Sequence, residues 1–427
     1  MRSDDERSEH FPGGSSQAVN RNVILLIGGG ALFNVPIGFT FVAIPIYLER
    51  LPGIPTALIG LFFTTMGLVA VAFILPIGIL ADRFGRRLML ALGGIFATVA
   101  ILLLAFLDTF EGLLTIAAIF GMAEALYFST WNALLADAST TETRTRVFGR
   151  SFFVTAIAFA VGSLLAVAAD RAIQGGATPQ EAYQPLFLAM GLLIFIVPAI
   201  IPFIHLQRRT PVKSRGLLPR RSLRIITKFF VANFLIGFGA GIIIPIFSLW
   251  FLLQFAVAEA FTGPLFAVSS VVNAFAFLLA PRFAKRAGMI RAVVVAQVAA
   301  TLILFAMPFT AALGAVALLT VSILYVARNA LMNMVWPVMS SFLMGAVDPD
   351  ERSAASAVTG ASFRLPFAMS TTLGAYLLTI DLSMPLFLTA LLYGLGTGAF
   401  WYFFRAYWSV TPEQAASTSA PEAPGPK

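Results

Sequence analysis

Apolar runs about 20 residues long alternate with short polar segments from residue 23 to residue 406. An α-helix rises 1.5 Å per residue, so a run of that length crosses a hydrocarbon core of roughly 30 Å. Twelve runs are read as spanning helices: 23–47, 56–81, 88–107, 112–136, 151–169, 184–204, 226–252, 263–281, 291–309, 313–343, 354–380 and 384–406. They are continuously apolar and lack the period-two alternation of barrel strands. The predicted fold class is an all-α integral membrane protein of twelve transmembrane helices.

The polar segments divide the chain. A tail over 1–22, mixed in charge and without the pattern of a cleavable signal, precedes a first bundle of six helices over 23–204. A basic linker over 205–225 leads to a second bundle of six over 226–406. The tail over 407–427 ends in TPEQAASTSAPEAPGPK, a composition typical of disordered segments. With both termini placed in the cytoplasm, 24 of the 28 Lys and Arg fall on the cytoplasmic side. Only Arg50 and Arg171 lie outside, and Arg328 and Arg364 lie within spans. This asymmetry follows the positive-inside rule and supports the helix count.

The two halves echo one another. Ile44-Pro45-Ile46 recurs as Ile244-Pro245-Ile246, Ala81-Asp82-Arg83-Phe84-Gly85 resembles Ala284-Lys285-Arg286-Ala287-Gly288, and Trp131 recurs as Trp336. The matches keep their order and their place within the spans, which indicates a parallel six-helix repeat. Proteins built this way hold their substrate between the repeats, near the bilayer midplane.

Composition narrows the picture. The chain is 59% hydrophobic and 11% charged, against about 25% charged in soluble domains. The net charge of +8 resides in short loops and forms no continuous basic face, so nucleic acid is not the expected partner. There is no Cys, and the two histidines, His10 and His205, lie in a polar tail and at a span end. Thiolate chemistry is excluded and histidine chemistry nearly so.

Loop 2–3 reads Gly78-Ile79-Leu80-Ala81-Asp82-Arg83-Phe84-Gly85-Arg86-Arg87. This resembles G-x-x-x-D-R-x-G-R-R, the signature loop of the major facilitator superfamily, at every specified position and in the corresponding loop. Topology and repeat extend the resemblance over about residues 20–406. It implies two pseudo-symmetric six-helix bundles, alternating access around a central cavity, and no enzymatic activity. It also implies that Gly78, Asp82, Arg83, Gly85, Arg86 and Arg87 form a cytoplasmic gate holding the halves together. Gly78 would permit close helix approach and Gly85 a tight turn. Asp82 would cap a helix or pair with an arginine. The second copy has Lys285 in place of the acid, so any gate there is weaker. Two departures stand out. Span five lacks the Gly-Pro pair of drug/proton antiporters, and span four carries Glu124 where the family often has Arg.

Three ionisable residues are read as lying deep in spans: Glu124, Arg328 and Arg364. Charges at that depth cost roughly 2.5–3.5 kcal/mol on insertion scales, so they face a cavity or a partner. Glu124 shares a helical face with Tyr127 and Trp131, and Arg328 adjoins Asn329, Asn333 and Trp336. By resemblance, spans four and ten line the cavity. Glu124 is then expected to couple transport to protons, and the arginines to bind an anionic group on the substrate. The alternative is a buried structural pair between Glu124 and Arg328 or Arg364. Asn34, Pro36 and Thr40 in span one, and Asn233 with Gly237, Gly239 and Gly241 in span seven, could break their helices and expose carbonyls. Asn273 in span eight is a further candidate.

The reading is a secondary transporter of a small organic solute, proton-coupled, without cofactor, and monomeric in the plasma membrane with both termini cytoplasmic. A multidrug exporter of the same fold is the alternative. A membrane-embedded enzyme is disfavoured because Glu124 is expected to be the one buried acid, without a buried His or a nucleophile and base. A non-transporting sensor would need a soluble domain. No phosphate-binding G-x-x-x-x-G-K-[ST] motif is present.

Overall fold

The computed structural model describes residues 15–139, 143–204, 222–347 and 351–407. The terminal tails beyond these and linker residues 205–221 lie outside the described residues, as does the side chain of Asp82. All regular structure among the described residues is helical. The first half comprises α1 (Ser15–Arg50), α2 (Thr56–Phe84), α3 (Arg86–Leu103), α4 (Phe110–Asp137), α5 (Arg144–Leu165), α6 (Val167–Gln174) and α7 (Pro179–Ile200). The second comprises α8 (Leu223–Ile243), α9 (Phe247–Phe255), α10 (Glu259–Ala287), α11 (Met289–Ala306), α12 (Ala317–Ala346), α13 (Arg352–Ile380) and α14 (Met384–Phe404).

Each expected span coincides with one helical rod, and three rods are interrupted. The fifth bends at Ala166 between α5 and α6. The seventh tightens into a 3-10 turn at Ile244–Ile246, between α8 and α9. The tenth begins later than expected, because Gly314 at φ 56° stops the helix and a 3-10 stretch over Met307–Val316 precedes α12. Ten segments among the described residues are long and apolar enough to cross a membrane. One of them, Met289–Ala346, has 58 residues and contains both α11 and α12. A straight helix of that length would extend about 87 Å, nearly three times the hydrocarbon core, so it must fold back. The helix α13 is not among the ten. Its Ser362, Ser370 and Thr371 are buried against neighbouring helices, which makes it less apolar than a lipid-facing span.

The outer surface is apolar. Leu192, Leu302 and Leu319 are each more than 60% exposed, a distribution that water would penalise and lipid tolerates. The chain is an integral membrane protein.

The halves repeat one packing scheme. α1 packs on α5 and α7 as α8 packs on α13 and α14, and α4 lies between α2 and α3 as α12 lies between α10 and α11. The α1–α5 contact is a backbone approach: a Cβ at Gly38 would overlap the Phe159 carbonyl, and one at Gly162 the Val35 carbonyl. The α8–α13 contact repeats it with Gly241 on Phe367 and Gly374 on Ile242. Gly85 (φ 102°) and Gly288 (φ 88°) end α2 and α10 alike, each donating its N–H to the carbonyl four residues back. Both turns need the positive φ that glycine adopts without strain.

Among the described residues the close helix contacts between the halves lie towards the Arg50 end. α2 touches α13 where Gly60 and Gly67 lie against Thr371, Thr372 and Ala368, and Thr372 donates to the Thr64 hydroxyl at 2.8 Å. α10 touches α5 where Gly263 meets the Ser163 carbonyl and Ser270 donates to Ala156 O at 3.0 Å. Towards the Gly85 end the helices part: no described atom lies within 4 Å of a Cβ built at Gly78 on α2 or at Gly360 on α13. Among the described residues the molecule is closed at the Arg50 end and parted at the Gly85 end.

The proline and glycine breaks expected in two spans do not occur where predicted. α1 is continuous through Pro36 and Pro45, and the Asn34 amide donates to Gly30 O at 2.8 Å within that helix. The glycines of α8 serve packing, with Gly237 and Gly241 against α13 and Gly239 against α14, and the break falls at Pro245 instead.

Candidate functional site

The largest of three neighbouring cavities is about 450 Å³ and belongs to the first half. It is walled by aromatic side chains of α1, α2, α4 and α5, including Phe33, Phe41, Phe63, Phe120, Phe128 and Phe152. Tyr127 stacks on Phe33 at 3.8 Å and on Trp131 at 5.2 Å, forming one continuous aromatic face. Asn34, Thr40, Asn132, Ser151 and Thr155 add polar points, and Glu124 contributes the carboxylate.

Glu124 is paired across the halves. Its Oε1 lies 3.4 Å from Nη1 of Arg364 on α13, and the Arg364 guanidinium sits 4.5 Å from the Phe128 ring centroid. Both side chains of the pair are about one-third exposed, and Glu124 borders the cavity. Exposed pairs of this kind contribute about 0–1 kcal/mol to stability. The partner of Glu124 is thus Arg364, and Arg328 stands apart from it.

Arg328 is 2% exposed and lines a second cavity of about 130 Å³ in the second half. It donates to Asn329 Oδ1 at 2.8 Å and to the Tyr393 hydroxyl at 2.7 Å, and lies 5.4 Å from the Tyr393 ring centroid. Its Nε has no hydrogen-bond partner, and no carboxylate among the described residues lies within 4.0 Å. Asn233, Gln297, Asn329, Asn333 and Trp336 complete the wall. A third cavity of about 380 Å³ lies between the halves and shares Asn34, Asn329 and Asn333 with the other two. Asn273 faces it with its Oδ1 buried and unbonded.

The eleven residues read from the sequence as binding or coupling candidates thus fall on or beside adjoining cavities. Sequence reasoning missed others. Gln297 accepts from Thr397 at 3.2 Å, and Ser269 accepts from Asn329 at 3.0 Å. Tyr393, which holds Arg328, carried no signal because tyrosine at a span centre reads as packing. The expectation of one buried acid is also corrected: Glu259 and Asp170 are buried at the closed end. The predicted span began at 263, whereas α10 begins at Glu259, so the acid was assigned to a loop.

The signature loop holds its own half together. Arg86 pairs with Asp137 at the end of α4 at 2.7 Å, and Arg87 donates to Ile201 O and Pro202 O at 3.2 Å beyond α7. The Arg83 guanidinium lies 5.5 Å from the Phe84 ring centroid. Gly85 makes the tight turn expected of it. Gly78 makes no close approach to any described atom.

Two pseudo-symmetric helical bundles thus enclose a polar-lined aromatic cavity. Residues 26–371 match the pattern of the Major Facilitator Superfamily. The chain belongs to the Major Facilitator Superfamily. It is 24% identical over 247 residues to quinolone resistance protein NorA of Staphylococcus aureus (strain MRSA252), covering 54% of this chain and 59% of the relative. It is 25% identical over 305 residues to the uncharacterized protein YqgE of Bacillus subtilis (strain 168), covering 68% of each. Among solved structures, the nucleoside transporter NupG superposes with a TM-score of 0.74 at 15% identity, covering 90% of this chain and 99% of that one. A bacterial homolog of the human lysosomal transporter Spinster, inward-facing and unoccupied, superposes with a TM-score of 0.63 at 15% identity. It covers 92% of this chain and 98% of that one.

Proposed function

We propose that this chain is a proton-coupled carrier of an organic anion with an aromatic body, working by alternating access in the cell membrane with both termini cytoplasmic. The observation that carries the reading is Arg328, a buried cation with no carboxylate of the described residues within 4.0 Å. An uncompensated charge at that depth is costly unless something else meets it. A substrate carboxylate or phosphate would do so, ringed by the amides of Asn233, Gln297, Asn329 and Asn333. The aromatic face of Phe33, Tyr127 and Trp131 would take a planar body.

The Glu124–Arg364 pair bridges α4 and α13, so it breaks or reforms as the halves move. Protonation of Glu124 would release Arg364, which makes the pair the coupling element of this reading. Gly78, Asp82, Arg83, Gly85, Arg86 and Arg87 would close the parted end in the opposite state. No further cofactor is needed.

A drug exporter is the second reading, favoured by the 450 Å³ aromatic cavity and by the likeness to a quinolone resistance protein. The two readings share a site and differ in direction and selectivity. Uptake of a panel of aromatic acids, nucleosides and cationic dyes into proteoliposomes, with and without a pH gradient, separates them. Gradient-driven accumulation of the acids is expected, and Glu124→Gln should abolish accumulation while sparing downhill exchange. Folding should survive that change, since both side chains of the pair are partly exposed. A panel in which only cations move would overturn the anion reading, and undiminished accumulation by Glu124→Gln would overturn the role of Glu124.

A further inference from the structure

At the closed end three charged side chains from both halves converge. Arg50 ends α1, Asp170 lies on α6, and Glu259 is the first residue of α10. Arg50 Nη2 lies 3.2 Å from Asp170 Oδ1, and Arg50 Nη1 lies 3.3 Å from Glu259 Oε2. Nη1 also donates to the Tyr183 hydroxyl of α7 at 3.1 Å. Asp170 is well served: Gln174 donates to it at 3.2 Å, and so does the Ala260 N–H of α10, also at 3.2 Å. A carboxylate of the first half therefore caps the first turn of a helix in the second, satisfying an N–H that the helix leaves free.

Glu259 is served differently. It is 0% exposed, and neither of its oxygens accepts a hydrogen bond from another described residue. The Arg50 contact is within ion-pair distance but not aligned as a hydrogen bond, and the same nitrogen donates to Tyr183. Of the charged residues on the elements packed around it, Glu49, next to Arg50 on α1, accepts from Thr56 at 3.0 Å, Arg171, next to Asp170 on α6, is exposed, and Arg291 of α11 lies at the far end. α9 carries no charged residue, the charges of α5 lie in its first turns at the far end, and Tyr325 of α12 is stacked on Phe266, seven residues further along α10. With both acids ionised, the sealed cluster holds two negative charges and one positive. Burying that excess is costly, and one proton removes it.

We propose that the Arg50–Asp170–Glu259 cluster is a proton-binding site in its own right, which takes up one proton on Glu259 as this end closes and releases it as this end opens. The proton comes from the solution on the Arg50 face, separately from Glu124. Opening draws α10 away from α1 and α6, hydrates Glu259 and frees the Ala260 N–H. Because the closed state holds the extra proton, acid on this face favours closure. The ratio of closed to open molecules then rises by up to tenfold for each unit of pH lowered. The proposal rests on the alternating-access reading but not on any particular substrate.

The absence of cysteine makes the test direct. Spin labels on Glu111→Cys at the start of α4 and Ala312→Cys before α12 report the separation of the halves at this end. Double electron–electron resonance in nanodiscs from pH 5 to pH 8 should show the short distance gaining as pH falls. Glu259→Gln should remain closed throughout, with the pH slope lost. Asp170→Asn leaves one cation and one anion, so it should also lose the slope, and it serves if Glu259→Gln does not fold. Arg50→Gln leaves two unpaired acids and should steepen the slope. A wild type insensitive to pH overturns the proposal, as does a slope that survives in Glu259→Gln or, where that variant does not fold, in Asp170→Asn. Either result leaves the transport reading, tested by uptake, untouched.

Discussion

Replacing Arg328 by Gln separates a ligand-binding role from a structural one, because the two push stability and affinity in different directions. The guanidinium donates to Asn329 and Tyr393, and its loss leaves those two oxygens without their donor. Each group left unsatisfied in a buried site costs about 1–3 kcal/mol. Against that, the substitution removes a buried cation that no carboxylate of the described residues meets, and an uncompensated buried charge itself costs several kcal/mol. The two contributions oppose, so the melting temperature of the substrate-free protein should stay level or rise. Binding should fall. A charge-assisted hydrogen bond contributes about 1.5–3 kcal/mol, so Kd for an anionic substrate should rise roughly ten- to a hundredfold. Arg328→Lys keeps the charge but not the two-pronged donor geometry and should fall between. Isothermal titration calorimetry in nanodiscs with the acids that proteoliposomes accumulate, beside a thermal-shift curve without substrate, reads both quantities. An unchanged Kd refutes the reasoning. So does a fall in melting temperature with Kd intact, since that would make Arg328 a structural strut of α12 and α14.

Two other outcomes follow from the packing and the charge pattern. Gly67→Val should wedge α2 from α13, because a Cβ there already meets Ala368, whereas Gly78→Val meets no described atom; overpacking costs about 1–3 kcal/mol. Transport assays should show Gly67→Val depleting the state closed at the Arg50 end and Gly78→Val sparing it, and equal effects of the two would contradict the one-ended contact. A Cys placed at Ser214 should react with an impermeant maleimide only in inverted vesicles, and one at Ala312 only in intact cells. Labelling of Ser214→Cys from outside would reverse the orientation drawn from the lysine and arginine distribution.

Run length and loop composition carried the class of this protein in the sequence itself. Lipid as solvent forces each crossing to be a helix of about 20 apolar residues, so a one-dimensional pattern locates the rods without knowledge of their neighbours. The repeat was legible for a similar reason: Gly85 and Gly288 mark the same turn in each half, and a turn needing positive φ constrains a single residue. The acid-to-arginine pairing was not legible. Glu124 and Arg364 are 240 positions apart, and Arg328 and Tyr393 are 65 apart. Which of two arginines meets the acid depends on the rotation of α12 and α13 about their axes, which only packing against α8, α10 and α2 sets. The Arg50–Asp170–Glu259 cluster was hidden for a further reason. Residues at span ends read as solvated loops, and only the closure of one half on the other removes them from water. That closure is a property of how two bundles meet, and no local stretch of either bundle encodes it.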